Sequence, residues 1–191
     1  MDYKITECKP LGLLELEIVP FMDNRGYVFE SWNDKDLNNN KIVKKYHPNG
    51  INFVQDLQSG SNVNTIRGLH YQLPGAPMAK MFRCIYGKVL AVAVDIRNSS
   101  DSYMKSHSVE LTPESFKQFF VPVGFAFGFS VLSDYAEVHY KQTGSYSKPH
   151  NMCMLYSSAI LGIDWKIDHA ILSEQDKLAP DATEYMKSPV F

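Results

Sequence analysis

The sequence predicts an all-β fold, a sandwich or a barrel with only short peripheral helices. Three observations carry this. Short runs alternate apolar and polar residues with the two-residue period of a strand, as where Leu14, Leu16 and Ile18 alternate with Glu15, Glu17 and Val19. Turn signals such as Asn24-Arg25-Gly26 and Pro48-Asn49-Gly50 punctuate the chain roughly every eight to twelve residues. No long stretch keeps a helical period.

Taken in order, Leu13–Pro20 reads as a strand. The turn Asp23-Asn24-Arg25-Gly26 leads into the β-rich run Tyr27–Ser31, and Trp32–Leu37 reads as one or two helical turns. Ile51–Asp56 reads as the next strand, with Ile51, Phe53 and Gln55 on one face. Gln58–Thr65 reads as a polar loop before a strand at Arg67–Gln72. Lys80–Tyr86 and Lys88–Arg97 read as a hairpin turning near Gly87, with both faces apolar enough to lie deep. Ser108–Leu111 is a strand, and Thr112-Pro113-Glu114 is an N-cap followed by proline at N1. Gln118–Val121 is another strand, followed by an expected second hairpin of Phe125–Leu132 with Ala136–Thr143. Met152–Tyr156 is strand-like, and the tail carries one short helical signal from Ser173. With no repeat, linker or low-complexity tract, one domain spanning 1–191 is expected.

The composition excludes several classes. A net charge of −2 and a pI near 6.3 give no electrostatic case for nucleic acid or an anionic membrane. Three cysteines, Cys8, Cys84 and Cys153, with no C-x-x-C spacing argue for reduced thiols rather than a disulfide framework or zinc knuckle. No apolar leader or membrane-length run is present, so a cytoplasmic location is expected. Aromatic residues make up 13% of the chain, which suits strands and a lined cavity.

The chemistry concentrates at Arg67-Gly68-Leu69-His70-Tyr71-Gln72. A fixed cation, a permissive backbone position and a titratable base fall within four residues. Regular strand alternation would put Arg67 and Leu69 on one face and Gly68, His70 and Gln72 on the other. A Gly-x-His strand followed later by Pro122-Val123-Gly124 resembles the two motifs of the cupin superfamily, a jelly-roll barrel. Metal-binding cupins carry His-x-His and a second-motif histidine. Here Gln72 and Phe127 occupy those positions, so the resemblance implies a barrel that works without metal or organic cofactor.

A closer resemblance follows. Arg67–Gln72 with Met78-Ala79-Lys80 resembles the signature of nucleotide-sugar 4-keto-6-deoxy-sugar 3,5-epimerases. Asp23–Gly26 with Phe29-Glu30, Phe53–Asp56, Val92–Asp95, Pro122–Phe129, Ala136-Glu137 with Tyr140-Lys141, Leu161–Trp165 and Leu172–Asp176 fit the same family in order. Such an enzyme needs a base near neutral pKa to remove a proton next to the C4 ketone. It also needs a cation at the developing enolate and an acid on the other face of the ring. The resemblance implies His70 as base, Lys80 as the cation, Tyr140 as acid and Asp176 as the group fixing the imidazole tautomer. It implies Arg25 and Arg67 at the diphosphate, Glu30 and Gln55 near the nucleotide base, Tyr146 near the sugar, and Gln72 among the substrate-binding residues. Homodimers that exchange N-terminal strands are implied as well.

Each residue also has a structural alternative. His70 could be a satisfied strand histidine, Lys80 a solvated strand end, and Tyr140 core beside Val138. Ser173-x-x-Asp176 is close to a capping box, in which Asp176 simply returns to its own helix start. His139, on the face of Glu137 and Lys141, reads as an outer position, while His47, His107, His150 and His169 have no motif around them. The chain departs from the family at Phe127, Leu57 and Tyr156–Ala159. A dTDP-4-keto-6-deoxyglucose-type substrate is therefore read alongside a GDP-4-keto-6-deoxy-heptose, inversion of a single centre, or a non-catalytic sugar-nucleotide-binding cupin. A sugar 3,4-ketoisomerase and a metal-dependent oxygenase rank below these.

Overall fold

The computed structural model describes residues 3–10 and 12–191. The chain runs β1 (Tyr3–Glu7), β2 (Leu14–Ile18), β3 (Phe21–Asp23), β4 (Gly26–Val28), α1 (Asp34–Asn39), α2 (Lys41–Tyr46), β5 (Gln55–Asn62), β6 (Ile66–Gln72), β7 (Lys80–Tyr86), β8 (Val89–Asp95), β9 (Ser106–Leu111), β10 (Lys117–Val121), β11 (Phe125–Val131), β12 (Tyr135–Gln142), β13 (Asn151–Cys153), α3 (Glu174–Lys177) and α4 (Ala182–Lys187). A six-stranded sheet has the order β1-β2-β10-β7-β12-β5 and a five-stranded sheet the order β13-β6-β11-β8-β9. All named pairings are antiparallel. The result is a jelly-roll of the cupin type, as the sequence implied.

Alternation along each strand sorts apolar side chains into three layers. Phe82, Ala91, Phe119, Phe127, Phe129 and Val138 fill the space between the sheets. Leu90, Val92 and Val94 of β8, with Ile96 just beyond it, point outward and are covered by the C-terminal segment through Met154, Trp165 and Tyr185. Leu14, Leu16 and Phe120 point outward from the other sheet under Leu37 of α1 and Val43 of α2. β8 is buried on both faces, which explains its unbroken apolar sequence.

Both expected hairpins are corrected. β7 pairs with β10 and β12, whereas β8 pairs with β9 and β11. β11 and β12 likewise belong to opposite sheets. A short connection between two deeply apolar strands mimics a hairpin in sequence, but here the chain crosses between layers. Gly87 makes that crossing with φ 74°, packed against the Tyr135 carbonyl.

The strand expected at Ile51–Asp56 begins instead at Gln55 and continues through the run read as a polar loop. β5 is an edge strand, and its inner residues Leu57 and Ser61 line a cavity rather than a core, so the apolar alternation is lost. Ile51 and Phe53 pack outside, in the layer under α1 and α2. β1, α2 and α4 were not anticipated. α2 buries only Val43, and α4 only Ala182 and Tyr185, too few apolar positions to set a period. Thr112–Ser115, Gln118–Val121 and the Ser173 helix appear where expected. No helix among the described residues is long and apolar enough to cross a membrane.

Candidate active site

The site is built first on β6, whose alternation is broken. Opposite β11, His70 pairs with Phe127 and Arg67 with Phe129, so Gly68 and Leu69 together face the single residue Gly128. This bulge corrects the expected faces. Arg67 and His70 both turn inward, while Ile66 and Leu69 pack outward. Gly68 makes the bulge possible: its φ is 129°, and a Cβ there would lie 2.6 Å from the Gly128 Cα.

Asp176 reaches His70 from α3. Ser173 caps that helix, its Oγ accepting from the Asp176 backbone N–H at 3.2 Å and donating to Oδ2 at 2.8 Å. The other carboxylate oxygen, Oδ1, lies 2.6 Å from His70 Nε2. The carboxylate thus serves its own helix cap through one oxygen and meets His70 through the other. Burial alone would raise the Asp176 pKa, but the bonds from His70 and Ser173 hold it below the ordinary carboxylate value. Accepting the Nε2 proton leaves Nδ1 as the basic atom of the ring.

The opposite wall is the six-stranded sheet. Tyr140 sits on β12 between Phe82 and Leu57, and burial raises its pKa against the opposing effect of the Arg67 charge, so the phenol stays protonated. Lys80, at the start of β7, is desolvated to a pKa of about 8, its Nζ 5.3 Å from the centre of the Phe127 ring. His70, Lys80, Phe127 and Tyr140 are common to two connected lobes of about 520 and 280 Å³. Arg67 points into the larger lobe, its guanidinium held by Ser61 Oγ at 2.9 Å and the Gly60 carbonyl at 3.3 Å.

The remaining residues implied by sequence separate into two groups. Gln72 and Tyr146 line the smaller lobe, and Gln55 accepts from the Tyr146 backbone N–H at 3.1 Å. The Gln72 amide is occupied by Ala76 O, Ser145 O and the Ser147 N–H, so it holds the lobe's two loops in place. Arg25 and Glu30 are not brought to the cavity within one chain. Arg25 pairs with Asp23 at 2.6 Å on the exposed β3–β4 hairpin, and Glu30 lies beside Asn33. His139 is half-buried and paired with Asp56 at 3.1 Å, rather than freely solvated.

Sequence reading found Ser173 as a cap but missed Ser61 and Gln142. Gln142 lies two residues beyond Tyr140, on the same face of β12, and its Oε1 is buried at the smaller lobe with no hydrogen-bond partner among the described residues. Period-two alternation from Tyr140 was the signal that could have found it.

Acid–base groups on opposing walls of a jelly-roll define a class, the cupin-type enzymes that move protons on a bound small molecule. Within it the chain belongs to the dTDP-4-dehydrorhamnose 3,5-epimerase family, whose sequence profile matches residues 7–184. It is 40% identical over 156 residues to the dTDP-4-dehydrorhamnose 3,5-epimerase of Shigella flexneri, covering 82% of this chain and 83% of that protein. It superposes with a TM-score of 0.88 on the crystal structure of the Elizabethkingia anophelis enzyme of that name, 35% identical, covering 96% and 98% of the two chains. A dTDP-6-deoxy-D-glucose-3,5-epimerase from Legionella pneumophila, solved in complex with dTDP-4-keto-L-rhamnose, gives a TM-score of 0.87 at 32% identity, with 95% and 94% covered.

Proposed function

We propose that this isomerase inverts C3 and C5 of a dTDP-linked 4-keto-6-deoxyglucose-type sugar through enolate intermediates, in deoxy-sugar biosynthesis for surface polysaccharide. The observation that carries the reading is the separation of base and acid onto facing sheets, His70 on β6 and Tyr140 on β12, with Lys80 beside them. Inversion requires a proton to leave one face of the ring and return to the other, which two opposed walls can do and one wall cannot.

In this mechanism His70 Nδ1 takes the proton next to the ketone while Asp176 stabilises the imidazolium that forms. The Lys80 ammonium faces the C4 oxygen and favours the enolate as its charge develops in a site walled by Phe82, Phe127 and Phe129. Tyr140 then delivers its proton from the opposite face. Arg67, held by Ser61 and Gly60, offers a guanidinium to the diphosphate.

Arg25 and Glu30 are assigned to the nucleotide end, supplied by the partner chain of a homodimer. Support comes from the β3–β4 hairpin, where Phe21, Met22, Tyr27 and Val28 are each more than half exposed. An apolar two-stranded arm of that kind suits burial against a second copy. Residues 1–191 are read as one catalytic domain, and three free cysteines fit a reducing cytoplasm. Incubation with dTDP-4-keto-6-deoxyglucose, followed by separation of the C3 and C5 epimers, tests the assignment. Recovery of unaltered substrate from folded protein would refute it.

A further inference from the structure

Outside the cavity lining, a second group of ligand-type side chains converges where the two sheets meet. Cys8 follows β1, Glu15 lies on the inner face of β2, and His107 lies on the inner face of β9 in the other sheet. Cys8 is 6% exposed, and Glu15 and His107 are half-buried. Among the described residues it is the only group of three His, Cys, Asp or Glu ligand atoms lying within 4.8 Å of one another. None of the three lines either lobe of the active site.

The spacing is specific. Glu15 Oε1 lies 3.6 Å from Cys8 Sγ and 3.2 Å from His107 Nε2. Zinc bonds of about 2.3 Å to sulfur and 2.0 Å to nitrogen and oxygen give tetrahedral edges of about 3.5 Å for S···O and about 3.3 Å for N···O. These two edges are close to tetrahedral values, the third ligand pair lies within 4.8 Å, and a thiol, an imidazole and a carboxylate are the donors that a borderline-soft metal selects over calcium or magnesium. We propose that Cys8, Glu15 and His107 bind a zinc-class divalent ion that clips the N-terminal strands of the six-stranded sheet to β9 of the five-stranded sheet.

The group lies outside both lobes of the active site, so the ion is assigned a clipping rather than a catalytic role. The Lys117 ammonium holds Glu15 Oε2 at 3.4 Å, leaving Oε1 turned toward sulfur and imidazole. The imidazole packs against Phe119 with ring centres 5.7 Å apart and planes tilted by 41°, and Cys8 and Phe119 belong to the interior apolar layer. Sγ also meets the Thr6 carbonyl at 3.7 Å and the Glu15 backbone. Binding forms a sulfur–metal bond and releases the Cys8 thiol proton to solvent, with no redox step. A fourth position is left for water.

The test uses the full chain, stripped with a chelator and titrated with Co(II), then with Zn(II). One equivalent of cobalt should produce the near-ultraviolet thiolate-to-cobalt charge-transfer band, which zinc should bleach. Cys8→Ser should abolish the band, Glu15→Gln and His107→Gln should each weaken binding roughly tenfold or more, and Cys84→Ser and Cys153→Ser should retain it. Zinc should also raise Tm in the wild type and not in Glu15→Gln. Absence of the band in folded wild type, or a band that survives Cys8→Ser, would overturn the proposal. Should Cys8→Ser fail to fold, unchanged cobalt affinity in both Glu15→Gln and His107→Gln would overturn it equally.

Discussion

His70 Nε2 lies 2.6 Å from Asp176 Oδ1, across 106 positions of chain. The carboxylate is 3% exposed, and its second oxygen is held by the cap of its own helix. The imidazole is therefore fixed in one tautomer by a group that cannot swing away, as the proposed role of His70 as base requires.

Replacing Asp176 by Asn should keep the cap geometry but remove the charge that stabilises the imidazolium. A fall in kcat of about a hundredfold or more is expected, with KM little changed. The stability effect has a definite sign. The Asp176 pKa is lowered in the folded chain, so its contribution is present above the unfolded carboxylate value of about 4 and vanishes as pH falls through the folded value. Urea titrations should show wild type more stable than Asp176→Asn at neutral pH, with the gap closing in acid.

Under the proposed mechanism, Lys80 should set the alkaline limit of turnover. Desolvation brings its pKa down to about 8, so turnover should fall as pH rises through that value and the enolate loses its cation. Folding runs the other way. The unfolded ammonium titrates near about 10.4, so the folded state is penalised for charge below pH 8 and gains relative stability between the two values. Lys80→Met should flatten that gain in denaturant titrations at rising pH while abolishing turnover.

Gly68 tests the bulge. Ala at this position would combine a positive φ with a Cβ 2.6 Å from the Gly128 Cα. A loss of about 2 kcal/mol or more is expected in urea unfolding, because neither backbone can yield without breaking the β6–β11 register. Retention of wild-type stability and activity would mean that the close approach is not needed to aim His70.

Much of this was legible beforehand, for reasons visible in particular residues. β8 announced its depth through Val89–Val94, and the residues around His70, Lys80 and Tyr140 were found because their order matches a known set. Pairing was not legible: Gly87 joins two apolar strands in the manner of a hairpin while carrying the chain between sheets. Nor were the inner faces of β5 and β6, since cavity-lining Ser61 masks alternation and a bulge at Gly68 reverses it. Arg25 and Glu30 mark a different limit, because their assigned role depends on a second chain.

The β3–β4 hairpin offers a check on that role. Phe21→Glu, at an exposed apolar position, should shift sedimentation from dimer to monomer and weaken nucleotide binding through loss of the partner's arm. A dimer unaffected by Phe21→Glu would place the interface elsewhere.

Solvent hydrogen exchange addresses the opposed-wall mechanism most directly. Wild type, His70→Asn and Tyr140→Phe would be incubated with dTDP-4-keto-6-deoxyglucose in D2O, with deuterium located by NMR and epimers separated. Wild type should incorporate deuterium at C3 and C5 with inversion, His70→Asn should incorporate none, and Tyr140→Phe should exchange protons while inverting far more slowly. Wild-type exchange in His70→Asn, or equal inversion with and without the Tyr140 hydroxyl, would contradict it.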